Sequence, residues 1–389
     1  MQPRLVTRWM IVTAVLILAA LSCGRGGGGG SPVLVASAPP DGTSPGTIRP
    51  VDTPVPQPVG YLTREGLHPG RAGNPTRVPL HVWYPTRSSP TAFEYHTIGD
   101  GLQLEAIKTS LALDAPVDRS RGPYPVLLFF HGAFTCGTQS VFLTEYLARQ
   151  GFIVAAPDFT DAYRLCGEWD DLDPRWKVLG GLRDMRRASA HRRLEILELG
   201  SRVPGASMML DQLLSWNEDP ESTFYQTMEP SRIGVIGHSL GGETALGLIG
   251  PHPDPSFEDE RIKAVVILSS AVFPLQEQLD EIEIPVMVME GDEGDSEDLH
   301  DIARRKVYDD AQGPGYFLMI EDGVHGSFGN GVCPADSTPV DCVQSDSLAG
   351  LIASYSADFF AAYLRGDRQA MERISRGSPG LAGFDFREE

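Results

Sequence analysis

From about Val59 onward, apolar runs and helically spaced segments alternate along the chain. Arg77 to Tyr84 (RVPLHVWY) alternates as a strand does and stops at Pro85. Pro125 to Phe130 (PVLLFF) and Phe152 to Ala156 (FIVAA) contain no polar position, the pattern of strands buried on both faces. Arg232 to Ile236, Ile262 to Leu268, Pro285 to Met289 and Tyr316 to Ile320 are four further apolar runs of strand length, whose charged residues are Arg232 and Lys263. Helical spacing fills Ser140 to Gln150, Ala206 to Trp216, the stretch from Ser239 to about Ile249, Glu297 to Val307, and Leu348 to Leu364, which closes the domain. Residues 86–120 read as neither. Buried strands alternating with helices predict an α/β fold, a mostly parallel, doubly wound sheet with helices on both faces. Residues 161–205 are polar, rich in arginine and helical only in parts, and are expected to form an insert or lid.

The first 58 residues follow a different pattern. Arg4 and Arg8 precede an apolar run from Trp9 to Leu21 that is short for a membrane span, so residues 1–22 read as a signal peptide. The run ends at Ala20-Leu21-Ser22-Cys23-Gly24, which resembles a bacterial lipoprotein cleavage box with Cys23 as the lipidated residue. Plain secretion after cleavage nearby is the alternative. Gly24 to Pro58 is a Gly/Pro/Ser-rich linker with no apolar face to bury. The expected layout is thus signal 1–22, linker 23–58 and a folded domain 59–389. Export as a cell-envelope lipoprotein would limit membrane contact to the lipid anchor.

Charge and cysteines narrow the function classes. Removing residues 1–22 takes away Arg4 and Arg8 and no acid, moving the net charge from -20 to -22. A surface this acidic repels phosphate backbones, which argues against nucleic acid as a partner. With Cys23 set aside, Cys136, Cys166, Cys333 and Cys342 remain, and an exported protein can pair them. The closeness of Cys333 and Cys342 suggests one bridge and leaves Cys136 with Cys166. No cysteine or histidine spacing points to a metal, and no cofactor is expected.

Ligand sites in parallel sheets lie beyond the carboxyl ends of the strands, so the residues after each strand carry the chemistry. After Arg232–Ile236 comes Gly237-His238-Ser239-Leu240-Gly241-Gly242, a Gly-x-Ser-x-Gly between a strand and a helix. There Ser239 is the candidate nucleophile and the Leu240 N–H a candidate oxyanion donor. After Pro125–Phe130 comes His131-Gly132-Ala133-Phe134, where the Ala133 N–H is the first choice for a second donor and Phe134 N–H the next. His131 reads as structural, and His238, next to the serine, is expected to point elsewhere. After Pro285–Met289 an acidic loop offers Asp292 and Asp295. After Tyr316–Ile320, His325 lies in a Gly-flanked loop and is the candidate base, because imidazole takes and returns a proton near neutrality. His300 falls within a helical stretch instead.

These segments together resemble α/β-hydrolases of the platelet-activating factor acetylhydrolase and dienelactone-hydrolase-like type. The resemblance rests on VWYP (Val82–Pro85), DAPV (Asp114–Val117), YPVLLFFHG (Tyr124–Gly132), LARQGFIVAAPD (Leu147–Asp158), IGVIGHSLGG and the His325 loop. It implies a serine esterase with the triad Ser239, Asp295 and His325. Asp295 ranks above Asp292 because related enzymes place the acid at the end of a Gly-x-x-x-Asp loop. The implied substrate is a short-acyl small-molecule or lipid ester. Ser239 departs from dienelactone hydrolases proper, which use cysteine, and residues 161–205 match nothing in the family. The alternatives are a cutinase-like polyester hydrolase, a peptide hydrolase, or a non-catalytic binding protein of the same fold.

Overall fold

The computed structural model of the chain describes residues 57–69, 76–98, 104–133, 135–159, 199–251, 255–270, 276–292 and 300–388. All lie in the unit Gln57–Glu389. Eleven strands form one sheet: β1 (Val59–His68), β2 (Thr76–Pro85), β3 (Thr91–Ile98), β4 (Leu104–Leu113), β5 (Tyr124–Phe130), β6 (Ile153–Pro157), β7 (Met228–His238), β8 (Ile262–Leu268), β9 (Val286–Gly291), β10 (Gly315–Ile320) and β11 (Leu381–Arg387). Their spatial order is β11-β10-β9-β8-β7-β5-β6-β2-β1-β4-β3. The six strands from β10 to β6 run parallel, and antiparallel pairs flank them on both sides.

Helices cover both faces, as the strand pattern predicts. One face carries α2 (Leu199–Glu218), α3 (Leu240–Gly247) and α4 (His300–Asp310). The other carries α1 (Val141–Arg149), α5 (Pro339–Ser345), α6 (Ser347–Arg365) and α7 (Arg368–Ile374). The alternate residues of each central strand feed two separate cores. Val126 and Leu128 of β5 enter the α2–α3 side, and Leu127 and Phe129 enter the α1–α6 side. This alternation explains why those strands are so nearly apolar along their length.

Four features depart from the sequence reading. Residues 86–120, left unassigned, hold β3 and β4, a pair of antiparallel neighbours. Val59 begins a ten-residue strand that pairs with β2 along its whole length. The helix expected from Ala206 starts at Leu199, within the segment assigned to the insert. Pro204 and Gly205 read as a break there, but Val203 and Ala206 beside them are fully buried, and burial outweighs local propensity. Finally, α6 does not close the domain. α7 follows it, and β11 returns to pair antiparallel with β10. Cys23, Cys166, Asp295 and Phe134 lie outside the described residues, as does most of the expected insert.

Winding from β5 to β6 goes one way and from β7 to β10 the other, so the switch point of the sheet falls between β5 and β7. A crevice forms at such a point because the two following loops turn apart. Here the loops are those after Phe130 and after His238.

Candidate active site

Ser239 joins β7 directly to α3, with φ 54° and ψ -123°. A non-glycine residue in that region is strained, and strain of this kind is held only where the surroundings force it. The forcing contacts are backbone to backbone. A Cβ on Gly237 would stand 2.0 Å from Gly241 O, and one on Gly241 would stand 2.0 Å from Phe130 O. Glycine at both positions lets α3 start against the ends of β7 and β5. The turn then lifts Ser239 above the sheet, with its N–H donating to Leu268 O at 3.0 Å.

The loop after β5 is the second wall. Its His131 ring is used within the loop: Nδ1 donates to Gly132 O at 2.7 Å, and Nε2 accepts the Phe159 N–H at 3.0 Å. The Gly132 N–H donates to Gln139 Oε1 at 2.7 Å, so it is committed. The N–H groups of Ala133 and Leu240 carry no hydrogen bond among the described residues, which leaves both for an incoming oxygen. Gly132 itself faces the serine, since a Cβ there would lie 3.3 Å from Ser239 Cβ.

His325 opens a short 3-10 turn, His325–Phe328, after β10. A Cβ on Gly291 would meet Gly323 O at 2.1 Å, so the end of β9 packs directly on the chain leading to His325. The back of the turn is fixed to the start of α1: Ser140 Oγ donates to Phe328 O at 2.7 Å, and the Asn330 N–H donates to Gln139 O at 2.8 Å. Cys333 and Cys342 form the predicted disulfide just beyond. Cys136 is also disulfide-bonded, and its predicted partner Cys166 is outside the described residues.

His238 was expected to point away from the chemistry, and it does turn from Ser239. It links the two walls instead. Gln139 Nε2 donates to His238 Nδ1 at 2.5 Å, and His238 Nε2 donates to His325 O at 3.0 Å. The two imidazoles lie 4.7 Å apart, centre to centre. Burial, reinforced by the charge of His325, pushes the His238 pKa well below the ordinary histidine value. It therefore stays neutral, which the hydrogen bond accepted at Nδ1 requires.

Ser239 Oγ and His325 are on neighbouring loops, but no hydrogen bond joins them. Such contacts are often long before substrate arrives. Asp292 is exposed, and its carboxylate makes no hydrogen bond among the described residues. The ring nitrogen His325 Nδ1 lies 2.9 Å from Ser269 Oγ. Sequence reasoning missed Ser269, Gln139 and Arg202. Arg202, only 2% exposed, donates from α2 to His131 O at 2.7 Å and to Gly132 O at 3.3 Å. None of the three sits in a local motif, so nothing in the sequence marks them.

The family model described as platelet-activating factor acetylhydrolase, isoform II, matches residues 193–330. That segment runs from just before α2 through the Ser239 turn to the His325 turn. No curated protein matches the chain. With the sheet and the strained serine turn beside it, this match over less than half of the chain makes the fold that of an α/β-hydrolase and supports a carboxylic ester hydrolase similar to the platelet-activating factor acetylhydrolases.

Proposed function

We propose that the chain is a serine esterase acting on short-acyl esters through Ser239, His325 and Asp295. The observation that carries this reading is the strained Ser239 backbone, set between two uncommitted N–H groups at the switch point of the sheet. Ser239 Oγ attacks the ester carbonyl carbon while His325 Nε2 takes the hydroxyl proton. The carbonyl oxygen becomes an oxyanion and accepts from the Ala133 and Leu240 N–H groups. Each such donor is worth about 100- to 1000-fold in rate. Collapse breaks the bond to the leaving alcohol, which receives the proton from His325. Water then attacks the acyl-serine, with His325 again as base, and releases the carboxylic acid. The Asp295 carboxylate stabilises the imidazolium formed in both steps. The matched family takes its name from an acetylhydrolase, which supports a short acyl group.

The test is turnover of p-nitrophenyl esters from acetate to octanoate by the chain lacking residues 1–22, with fluorophosphonate labelling of Ser239. Activity highest on the short acyl groups is expected, and no turnover with no labelling overturns the reading. Asp295→Asn is expected to lose far more activity than Asp292→Asn, consistent with the exposed position of Asp292. The reverse order would reassign the acid.

Residues 1–58 support export with Cys23 carrying a lipid and the linker spacing the domain from the membrane. Cys23→Ser is expected to move the protein from the membrane pellet to the soluble fraction on expression in a lipoprotein-processing host. Unchanged fractionation would rule the anchor out.

A further inference from the structure

Ser269 follows β8 directly, with φ 42°, a left-handed backbone that serine adopts only at a cost. It is 2% exposed. Its N–H donates to Met289 O at 2.9 Å, and the carbonyl just before it, Leu268 O, accepts from the Ser239 N–H at 3.0 Å. Its Oγ is 2.9 Å from His325 Nδ1. One turn thus holds the backbone of the nucleophile, the strand leading to the acidic loop, and the ring of the base. A buried, strained serine whose hydroxyl meets an imidazole nitrogen calls for an account of that nitrogen's proton.

Neutral imidazole carries its proton on one nitrogen and accepts on the other. For His325 to take a proton from Ser239, Nε2 must be bare and Nδ1 must hold the hydrogen. We propose that Ser269 is a positioning residue for His325: its Oγ accepts the Nδ1–H and so leaves Nε2 unprotonated for Ser239. The inference rests on the reading of His325 as the base. Among the described residues, His238 then holds the His325 carbonyl and Ser269 its ring. A hydroxyl carries no charge, so Ser269 sets direction and tautomer, and stabilising the imidazolium remains with a carboxylate of the acidic loop. Among the described residues, the other titratable groups on the elements around the ring are His238 on β7, with His131 behind it, and Glu290 and Asp292 at and just after the end of β9.

The experiment compares Ser269→Ala, Ser269→Gly and Ser269→Asp in the full mature chain. A positioned base contributes roughly 100- to 10,000-fold, and loss of its orienting partner is expected to remove about 10- to 100-fold of kcat. KM should change less than kcat. The acid limb of the kcat/KM profile should move to lower pH in Ser269→Ala, because the imidazolium loses an acceptor. Ser269→Gly relaxes the backbone and should show the same loss of kcat, which separates the hydroxyl from the fold. Ser269→Asp tolerates a left-handed backbone and supplies charged acceptors, so it should move the acid limb to higher pH. NMR titration of His325 in a Ser239→Ala background reads the same ring without turnover. Its pKa should fall in Ser269→Ala and rise in Ser269→Asp. Unchanged kcat and an unmoved His325 titration in folded Ser269→Ala overturn the proposal, as does a rise in that pKa, which would make Ser269 the donor. If the parent chain neither turns over esters nor labels with fluorophosphonate, the esterase reading fails, and the titration alone still decides the hydrogen bond.

Discussion

Ser239→Ala is expected to lower kcat/KM for ester hydrolysis by roughly 10⁴- to 10⁶-fold, the range for removing a triad nucleophile, while leaving the fold intact. Fluorophosphonate labelling should vanish with it. The same position makes a second and opposite prediction for stability. Ser239 sits at φ 54° and ψ -123°, where alanine is as strained as serine and glycine is not. Strain of this kind costs about 1–3 kcal/mol. Glycine gives back about 0.4–1 kcal/mol of that through the larger entropy of its unfolded chain. Ser239→Gly should therefore be more stable than Ser239→Ala by about 1 kcal/mol in urea unfolding, and equally inactive. Equal stability of the two variants would show that the elbow stores no strain. Retained activity in either would remove Ser239 from the chemistry.

The strained serine turn was legible in the sequence because its geometry is local. Two glycines, a serine, a buried strand and a helix start occupy ten consecutive residues, and each physical requirement falls on a neighbour in the chain. The central strands were legible for a related reason: burial on both faces leaves nearly continuous apolar runs. The flanking strands did not stand out. β1, β3 and β4 keep exposed positions such as Arg64, Glu94 and Lys108, and β11 is nowhere deeply buried, so their pattern blends into loop. α2 was cut short because Pro204 and Gly205 signal a break locally, while the burial that overrides them comes from β1, far away in the chain. The supporting residues were hidden for the same reason. Gln139, Arg202 and Ser269 act through loops that meet only once the sheet has formed. His238 was correctly turned from the serine, but its link from Gln139 to His325 depends on a contact spanning 87 residues.

Arg202→Met is the substitution outside the triad expected to do most damage. The Gly132 carbonyl and the Ala133 N–H belong to one planar peptide and point in opposite directions. Whatever grips Gly132 O therefore aims the Ala133 N–H. Arg202 does so from a buried position, together with Thr135 Oγ1 at 3.0 Å and His131 Nδ1 at 2.7 Å, and it also holds His131 O. Its guanidinium lies 4.6 Å above the Phe159 ring, and its position is thus fixed on a second side. A methionine fills similar space but leaves the His131 carbonyl without this donor, so kcat should fall about 10- to 100-fold, part of what one oxyanion donor contributes. Stability should fall by about 1–3 kcal/mol, as when a buried acceptor loses its donor. Glu243, in the first turn of α3, feels the charge of Arg202. Burial raises its pKa to about 7, and the charge of Arg202 works against that rise. Without Arg202 the Glu243 pKa moves higher still. A carboxylate whose folded pKa exceeds its unfolded value loses stability as pH rises between the two, and in the variant that window extends above 7. The stability gap between the parent chain and Arg202→Met should therefore be wider at pH 9 than at pH 5. Arg202→Lys keeps the charge but not the two-pronged grip, so it should narrow the pH-dependent part of the gap and leave the loss of kcat largely in place. A gap that does not change with pH would detach Glu243 from Arg202. A variant with full kcat would detach Arg202 from the oxyanion loop.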